Sequence, residues 1–165
     1  MSYCVNNYSS DGLYLTGEKD ISAFIEKAIS VFKEEGSDWF SIADIEEAAE
    51  DILSEKDLAK KARAFEWLIE GSLPFEMDFE ESNPKIDGDR PVLRVYYVIA
   101  AEDEWEEEPV ELMLKALAPF MKEGNYLGFV DEDGGMWSYV FDGKGSYTYA
   151  RPVIDWTGGL YPAAK

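Results

Sequence analysis

The stretch 92–101 is almost continuously apolar, and it restricts the possible folds of this chain more than any other part of the sequence. Its residues are mainly β-branched or aromatic, a composition typical of strands. It is far shorter than the roughly 18 apolar residues that a membrane span needs. Because a strand of this kind must be covered on both faces, we predict that it is the central strand of a buried sheet.

A short strand followed by a long amphipathic helix is predicted near the N-terminus. Residues 13–17 have a strand-like pattern that ends in a turn, and Asp20 stands where a helix N-cap belongs. Apolar residues then recur at helical spacing from Ile21 to Phe32, and Gly36 is a stop signal. We therefore expect a helix that ends near Gly36.

The region 38–71 is predicted to form a helical insertion. Ser41 opens one amphipathic pattern, and the segment 54–57 offers a second cap before another pattern that ends at Gly71. The choice is between one interrupted helix and two separate ones, and we favour two.

Strand patterns return after this insertion. Residues 75–80 alternate between apolar and acidic side chains, which is typical of a half-exposed strand. Asn83-Pro84 and Asp87-Gly88 are turn signals, and they separate this strand from the apolar run that follows.

A third helix and a β-meander are predicted for the C-terminal part. Pro109 suits the first turn of a helix, whereas Pro119 should kink that helix or end it early. The meander covers about 125–156, with glycine-rich turns between its strands. The expected strands lie near 126–131, 136–141 and 146–150.

This order of elements predicts an α+β fold, an antiparallel sheet with helices on one face. The specific arrangement that we expect is a ferredoxin-like core that carries the helical insertion and the C-terminal meander. A chain of 165 residues suits one domain covering 1–165, because about 100 to 200 residues per domain is usual.

The N-terminal part also carries a short family pattern. Cys4 and Asn7 are followed by Leu15-Thr16-Gly17 and then by the helical sequence 21–28. In these residues the chain resembles the Api92-like family, which consists of ferredoxin-like proteins of phages and plasmids. The helical segment 38–71 departs from the pattern of that family. Since the family has no established chemistry, the resemblance implies a fold and an origin in a mobile genetic element.

Negative charge is the second strong constraint on this chain, which has 35 Asp and Glu against 15 Lys and Arg, a net charge of -20. Hydrophobic residues at 46% and aromatic residues at 15% exceed what a disordered acidic tail contains, so the charge belongs to a folded body. Such a charge favours fast capture of cationic partners. It would repel nucleic-acid backbones and anionic membrane surfaces, so we expect neither as a direct partner.

The single cysteine, Cys4, cannot form an internal disulfide, and the first seven residues do not have the pattern of a signal peptide. We therefore expect a cytoplasmic location. The chain contains no histidine, which is the usual base for a serine or cysteine nucleophile. This composition predicts that the protein is not an enzyme.

A carboxylate-dependent hydrolase or metal enzyme is the enzymatic alternative, and its best residues are Asp131, Asp133 and Asp142. The first two resemble the start of a calcium loop, but Gly135 stands where a further ligand is needed. We prefer a plain hairpin turn and expect no catalytic residue, metal or cofactor. A further alternative is that aromatic residues of the meander form a platform that binds a ligand. The alternation of side chains along a strand, however, places at least half of these residues in the core. These aromatic residues are Trp137, Tyr139, Phe141, Tyr147 and Tyr149.

Two acidic segments suggest a function. Segment 44–57 holds seven acids in 14 residues, or one charge per roughly 3 Å of helix, against about 1.7 Å in duplex DNA. Segment 102–108 holds six carboxylates around Trp105. The pattern predicts a non-enzymatic inhibitor that mimics DNA and binds the basic groove of a nucleic-acid-binding protein, similar in composition to antirestriction and anti-CRISPR proteins. The expected contact residues are Asp44, Glu47, Glu50, Asp51, Glu102, Asp103, Glu104, Trp105, Glu106, Glu107 and Glu108.

Two other interpretations remain open from the sequence. The protein could be an immunity or antitoxin protein that neutralises one cationic toxin. Trp105 then either anchors the interface or packs back into the core, and we favour the core. Alternatively, the acidic segments could be solvated faces that bind no partner.

Overall fold

The computed structural model describes residues 5–7, 12–98 and 105–151 of the chain. It shows an α+β fold, which confirms the predicted class. Its helices are α1 (Glu18–Glu35), α2 (Ile42–Ser54), α3 (Leu58–Ile69), α4 (Pro84–Asp87) and α5 (Glu107–Leu117). Its strands are β1 (Val5–Asn7), β2 (Leu13–Thr16), β3 (Phe75–Glu80), β4 (Val92–Tyr97), β5 (Tyr126–Asp131), β6 (Met136–Phe141) and β7 (Tyr147–Ala150). Within these ranges, no helix has both the length and the apolar character needed to cross a membrane.

The first sheet contains three antiparallel strands in the order β2-β4-β3. β4 is its central strand, as the apolar run predicts, with Val92, Leu93 and Val95 buried. The prediction that the strand is covered on both faces is wrong, because Arg94 and Tyr96 are only half-buried and their partners on β3, Asp78 and Glu76, are exposed. The strand ends at Tyr97, and the last residues of the predicted run, 99–101, lie outside the described ranges. Because β4 lies between β2 and β3, this sheet has the split β-α-β arrangement of one half of a ferredoxin-like fold.

The remaining strands form a second sheet in the order β1-β5-β6-β7. The meander of β5, β6 and β7 is confirmed, with bounds within a residue of the predicted ones. β1 was not predicted. It pairs with one edge of β5, where Asn6 is opposite Val130, while β6 pairs with the other edge. With both edges occupied, β5 cannot join β2, so the strands divide between two sheets instead of forming one.

The helical insertion consists of two helices, as predicted. The Ser41 hydroxyl accepts a hydrogen bond from the Asp44 backbone N–H at 3.5 Å, which caps α2. Asp57 accepts one from the Lys60 N–H at 2.9 Å, which caps α3. Both caps satisfy backbone donors that the first helical turn leaves unpaired.

The start of α1 differs from the prediction. The helix begins at Glu18, and Asp20 lies in its first turn instead of at the N-cap. Gly17 is the N-cap residue, with φ of 87°, and its N–H donates to the Pro91 carbonyl at 2.8 Å. This bond continues the β2–β4 pairing up to the helix, and glycine adopts the required positive φ without strain.

Aromatic side chains fill the junction between the two sheets. Tyr97 of β4 contacts Phe129 of β5, with ring centroids 5.0 Å apart. Trp105, just before α5, lies 4.7 Å from Phe129 and 5.3 Å from Trp137. α5 then packs against α1 and ends at Leu117, two residues before Pro119. The aromatic junction therefore positions the acidic N-terminus of α5.

Candidate partner-binding surface

The acidic residues predicted on α2 are all exposed. Ile45, Ala49 and Ile52 are the buried residues of this helix, and they place its other side in solvent. Asp44, Glu47 and Asp51 recur at i, i+3 and i+7, so they form one row, and a second row contains Glu46 and Glu50. In the described part of the chain, none of these five carboxylates forms an ion pair. The helix therefore presents a rigid, uncompensated negative face.

The second acidic segment is only partly described, because Glu102, Asp103 and Glu104 lie outside the described ranges. Glu106 is the N-cap residue of α5, and Glu107 and Glu108 occupy its first turn, where negative charge complements the helix dipole. All three side chains are exposed.

Glu107 has an intramolecular partner. The buried Tyr139 hydroxyl donates to its Oε1 at 2.8 Å. Burial, together with this hydrogen bond, raises the pKa of Tyr139 well above its usual range. Glu107 therefore ties α5 to the second sheet, and Glu106 and Glu108 are the described carboxylates of this segment that are free of such a bond.

Trp105 is half-buried in the aromatic junction, so it packs mainly within the protein. The tryptophan that is most exposed in the described ranges is Trp67, at 74%. No sequence pattern singled out Trp67, because Phe65, Leu68 and Ile69 surround it in the chain and the whole stretch has a core pattern. Its position on α3 opposite Phe65 is set by the helical period.

A cleft of about 400 Å³ lies beside α3 and the start of α5. We call it the acidic cleft, and its carboxylates are Glu70, Glu76 and Glu106. Trp39 also lines it, two residues before the cap of α2. The fold thus brings Glu106, at the start of α5, to one cleft with Glu70 and Glu76, which no sequence pattern singled out.

Burial and neighbouring carboxylates together raise two pKa values near this cleft. Partial burial, followed by repulsion from Asp78, Glu70 and Glu76, raises the pKa of Glu66 above its usual value. Burial and the hydrogen bond that its hydroxyl donates to Glu76 raise the pKa of Tyr96 to about 12. The secondary causes of the Glu66 shift place this residue of α3 close enough to Asp78 and Glu76 of β3 for their carboxylates to repel one another.

The candidate residues of the enzymatic alternative, Asp131, Asp133 and Asp142, take part in the turns between strands of the second sheet. Asp131 Oδ1 accepts backbone N–H groups of Asp133 at 3.0 Å and Gly135 at 2.6 Å, within the hairpin between β5 and β6. The Asp142 carboxylate accepts those of Lys144 and Ser146, and these bonds hold its pKa below the usual value. The predicted hairpin turn is confirmed. Across the described ranges, no three His, Cys, Asp or Glu side chains form a group that could hold a metal ion.

The aromatic residues of the meander divide between core and surface. Tyr139 and Phe141 are buried, as alternation predicts, and Trp137 and Tyr147 are half-buried. Tyr149 is exposed at 51%. Most of these rings therefore belong to the packing of the second sheet.

Comparisons of the chain with protein-family models, with curated protein sequences and with solved structures found no match. The resemblance of the N-terminal residues to the Api92-like family therefore stays a prediction.

Proposed function

We propose that this protein is a non-enzymatic inhibitor that mimics DNA and binds the basic nucleic-acid groove of another protein. The observation that carries the proposal is the solvent face of α2. Five carboxylates lie there within the eight residues 44–51, exposed and without ion pairs to other described residues.

The spacing of these charges supports phosphate mimicry. Eight helical residues extend over about 12 Å, so the five carboxylates give one charge per roughly 2.4 Å of axis. Duplex DNA carries one charge per about 1.7 Å. A basic groove that neutralises phosphates would meet a comparable charge density on this helix.

The rigidity of the helix adds to its suitability. α2 is capped by Ser41 and packs through Ile45 and Ile52 on the core, so its backbone is ordered before any partner binds. Charges on an ordered frame lose less conformational entropy on binding than charges on a flexible tail. This favours the folded face of α2 as the phosphate substitute.

The proposal predicts the behaviour of a charge-reduced variant of α2, in which four of its five carboxylates are neutralised. Changing Asp44 and Asp51 to Asn and Glu47 and Glu50 to Gln should weaken binding to basic nucleic-acid-binding proteins tenfold or more at about 50 mM salt. A tenfold weakening corresponds to a loss of about 1.4 kcal/mol of binding free energy, which four lost charge contacts are sufficient to cause. The measurement is capture from a cell lysate on immobilised protein, followed by titration of the captured protein.

A matched control removes four charges elsewhere. Glu18, Glu81, Glu123 and Glu132 are exposed, and no ion pair to another described residue engages them. Their joint change to Gln should leave binding within about twofold, because long-range attraction is largely screened beyond roughly 10 Å at moderate salt. Equal loss in both variants would mean that net charge, and not the α2 face, controls binding.

Competition with DNA tests the mimicry itself. Excess duplex DNA should release the captured protein and restore its activity on nucleic acid, since both ligands occupy the same groove. A complex that resists duplex DNA at about 50 mM salt would contradict mimicry.

An immunity or antitoxin protein is the second candidate, and the exposure of Trp67 favours it. Exposed tryptophans of this kind are enriched at the energetic centres of specific protein interfaces. Such a protein would hold one cationic toxin with nanomolar affinity in the presence of DNA. The competition experiment therefore separates the two candidates.

A further inference from the structure

The acidic cleft combines charge with aromatic surface. Glu70 follows the end of α3, Glu76 lies on β3, and Glu106 caps α5, so three separate elements contribute its carboxylates. The half-buried Tyr97 also lines the cleft, and its ring meets that of the buried Phe75 edge to face, with centroids 5.6 Å apart. Among the described residues that line the cleft there is no lysine or arginine.

These features complement an arginine side chain. A guanidinium group is planar, donates in a fork to carboxylates and stacks on aromatic rings. The ammonium group of lysine is a compact, strongly hydrated charge and gains less from an aromatic wall. Burial first, and then repulsion from Asp78, Glu70 and Glu76, raises the pKa of the neighbouring Glu66, which agrees with a negative field beside the cleft.

Trp67 connects the cleft to a larger docking surface. It precedes Glu70 by three residues near the end of α3, so the two positions are neighbours on the helix surface. An exposed aromatic ring beside a charged recess suits a protein partner, whose apolar surface can cover the ring while a basic side chain enters the recess.

We infer that the acidic cleft receives one arginine side chain of the basic partner, with the guanidinium against Glu70, Glu76 and Glu106, and with Trp67 covered by the adjoining partner surface. The inference rests on the proposed function in that the partner is a basic protein. It adds the contact that distinguishes one partner from other cationic proteins, because the charges of α2 carry no such selectivity.

The direct test uses short peptides and the intact protein. Acetyl-Gly-Arg-Gly-amide, titrated at about 150 mM NaCl, should produce saturable NMR shifts of the Gly71 and Ser72 amides and the Trp39 indole N–H, which all lie at the cleft. The matching lysine peptide and spermidine should bind at least fivefold more weakly. Equal binding of all three, or no saturable shift at these groups, would overturn the inference.

Two double variants test whether the arginine peptide binds at the acidic cleft. Glu70→Gln combined with Glu106→Gln should weaken the arginine peptide about tenfold, whereas Glu123→Gln combined with Glu132→Gln should leave its affinity unchanged. All four side chains are exposed, so both variants should fold, and unchanged amide spectra outside the cleft verify this. Equal weakening by both pairs would assign the binding to diffuse attraction and overturn the inference.

Results with a captured partner distinguish failure of the cleft from failure of the proposed function. If the α2 variant loses the partner while the cleft variant keeps it, the arginine contact is wrong and the DNA mimic stands. If the arginine peptide binds the cleft but duplex DNA fails to displace the partner, the cleft stands and mimicry is wrong.

Discussion

Glu66 lies near the end of α3, where carboxylates of the helix meet those of β3. Its pKa is raised by burial and by Asp78, Glu70 and Glu76, so the folded protein binds the Glu66 proton more tightly than the unfolded chain does. The folded state therefore loses stability as pH rises above the usual pKa of 4.5 and through the raised value. At pH values below that range, the stabilisation that comes from tighter proton binding at Glu66 is fully retained.

Replacing Glu66 by Gln should remove this loss. We expect the variant to melt a few degrees higher than the unmodified protein at about pH 7, and the difference to shrink as pH falls to about 4. Thermal melts over this range provide the measurement, with Glu123→Gln as the control. A constant difference across the range would show that the effect does not come from titration of Glu66.

At the scale of elements, the helical insertion is held to α1 by aromatic packing. Phe65 of α3 is fully buried, with ring centroids 5.7 Å from Phe24 and 6.1 Å from Phe32, both on α1. Phe40, in the connection to α2, stacks on Phe32, with ring centroids 4.9 Å apart. The acidic face of α2 therefore depends on this aromatic cluster for its position.

Phe65→Ala should destabilise the protein by about 3–5 kcal/mol, because it removes a buried ring and leaves a cavity. For a chain of this size the melting temperature should fall by roughly 10 °C. Trp67→Ala, on the same helix but at an exposed position, should change the unfolding free energy by about 0.5 kcal/mol or less. Similar losses for both variants, measured by denaturant unfolding, would contradict the packing that we describe.

At the scale of the whole molecule, a net charge of -20 disfavours the compact state through self-repulsion. Salt shortens the range of this repulsion, from about 30 Å at 0.01 M to about 3 Å at 1 M. The melting temperature at about pH 7 should therefore rise by several degrees between about 10 and 500 mM NaCl. The charge-reduced α2 variant should show a smaller rise, and a flat or falling trend for the unmodified protein would refute the repulsion.

Much of the local structure could be predicted from the sequence. The period of the apolar residues indicated α1, the caps at Ser41 and Asp57 separated α2 from α3, and the glycine-rich turns delimited the meander. These signals act between residues a few positions apart, so the chain carries them without reference to its fold. The exposure of the acids on α2 follows from the same periodicity.

The pairing of distant residues was decided by the tertiary structure. β1 is too short to give a strand signal, and by occupying one edge of β5 it separates the sheets. The same holds for the acidic cleft, because Glu106 joins Glu70 and Glu76, which are near each other in the chain, only through the packing of α5 beside α3 and β3. Local sequence determined which residues form helices, strands and charged faces, whereas the choice of sheet edges and the convergence of carboxylates required long-range packing that no local pattern encodes.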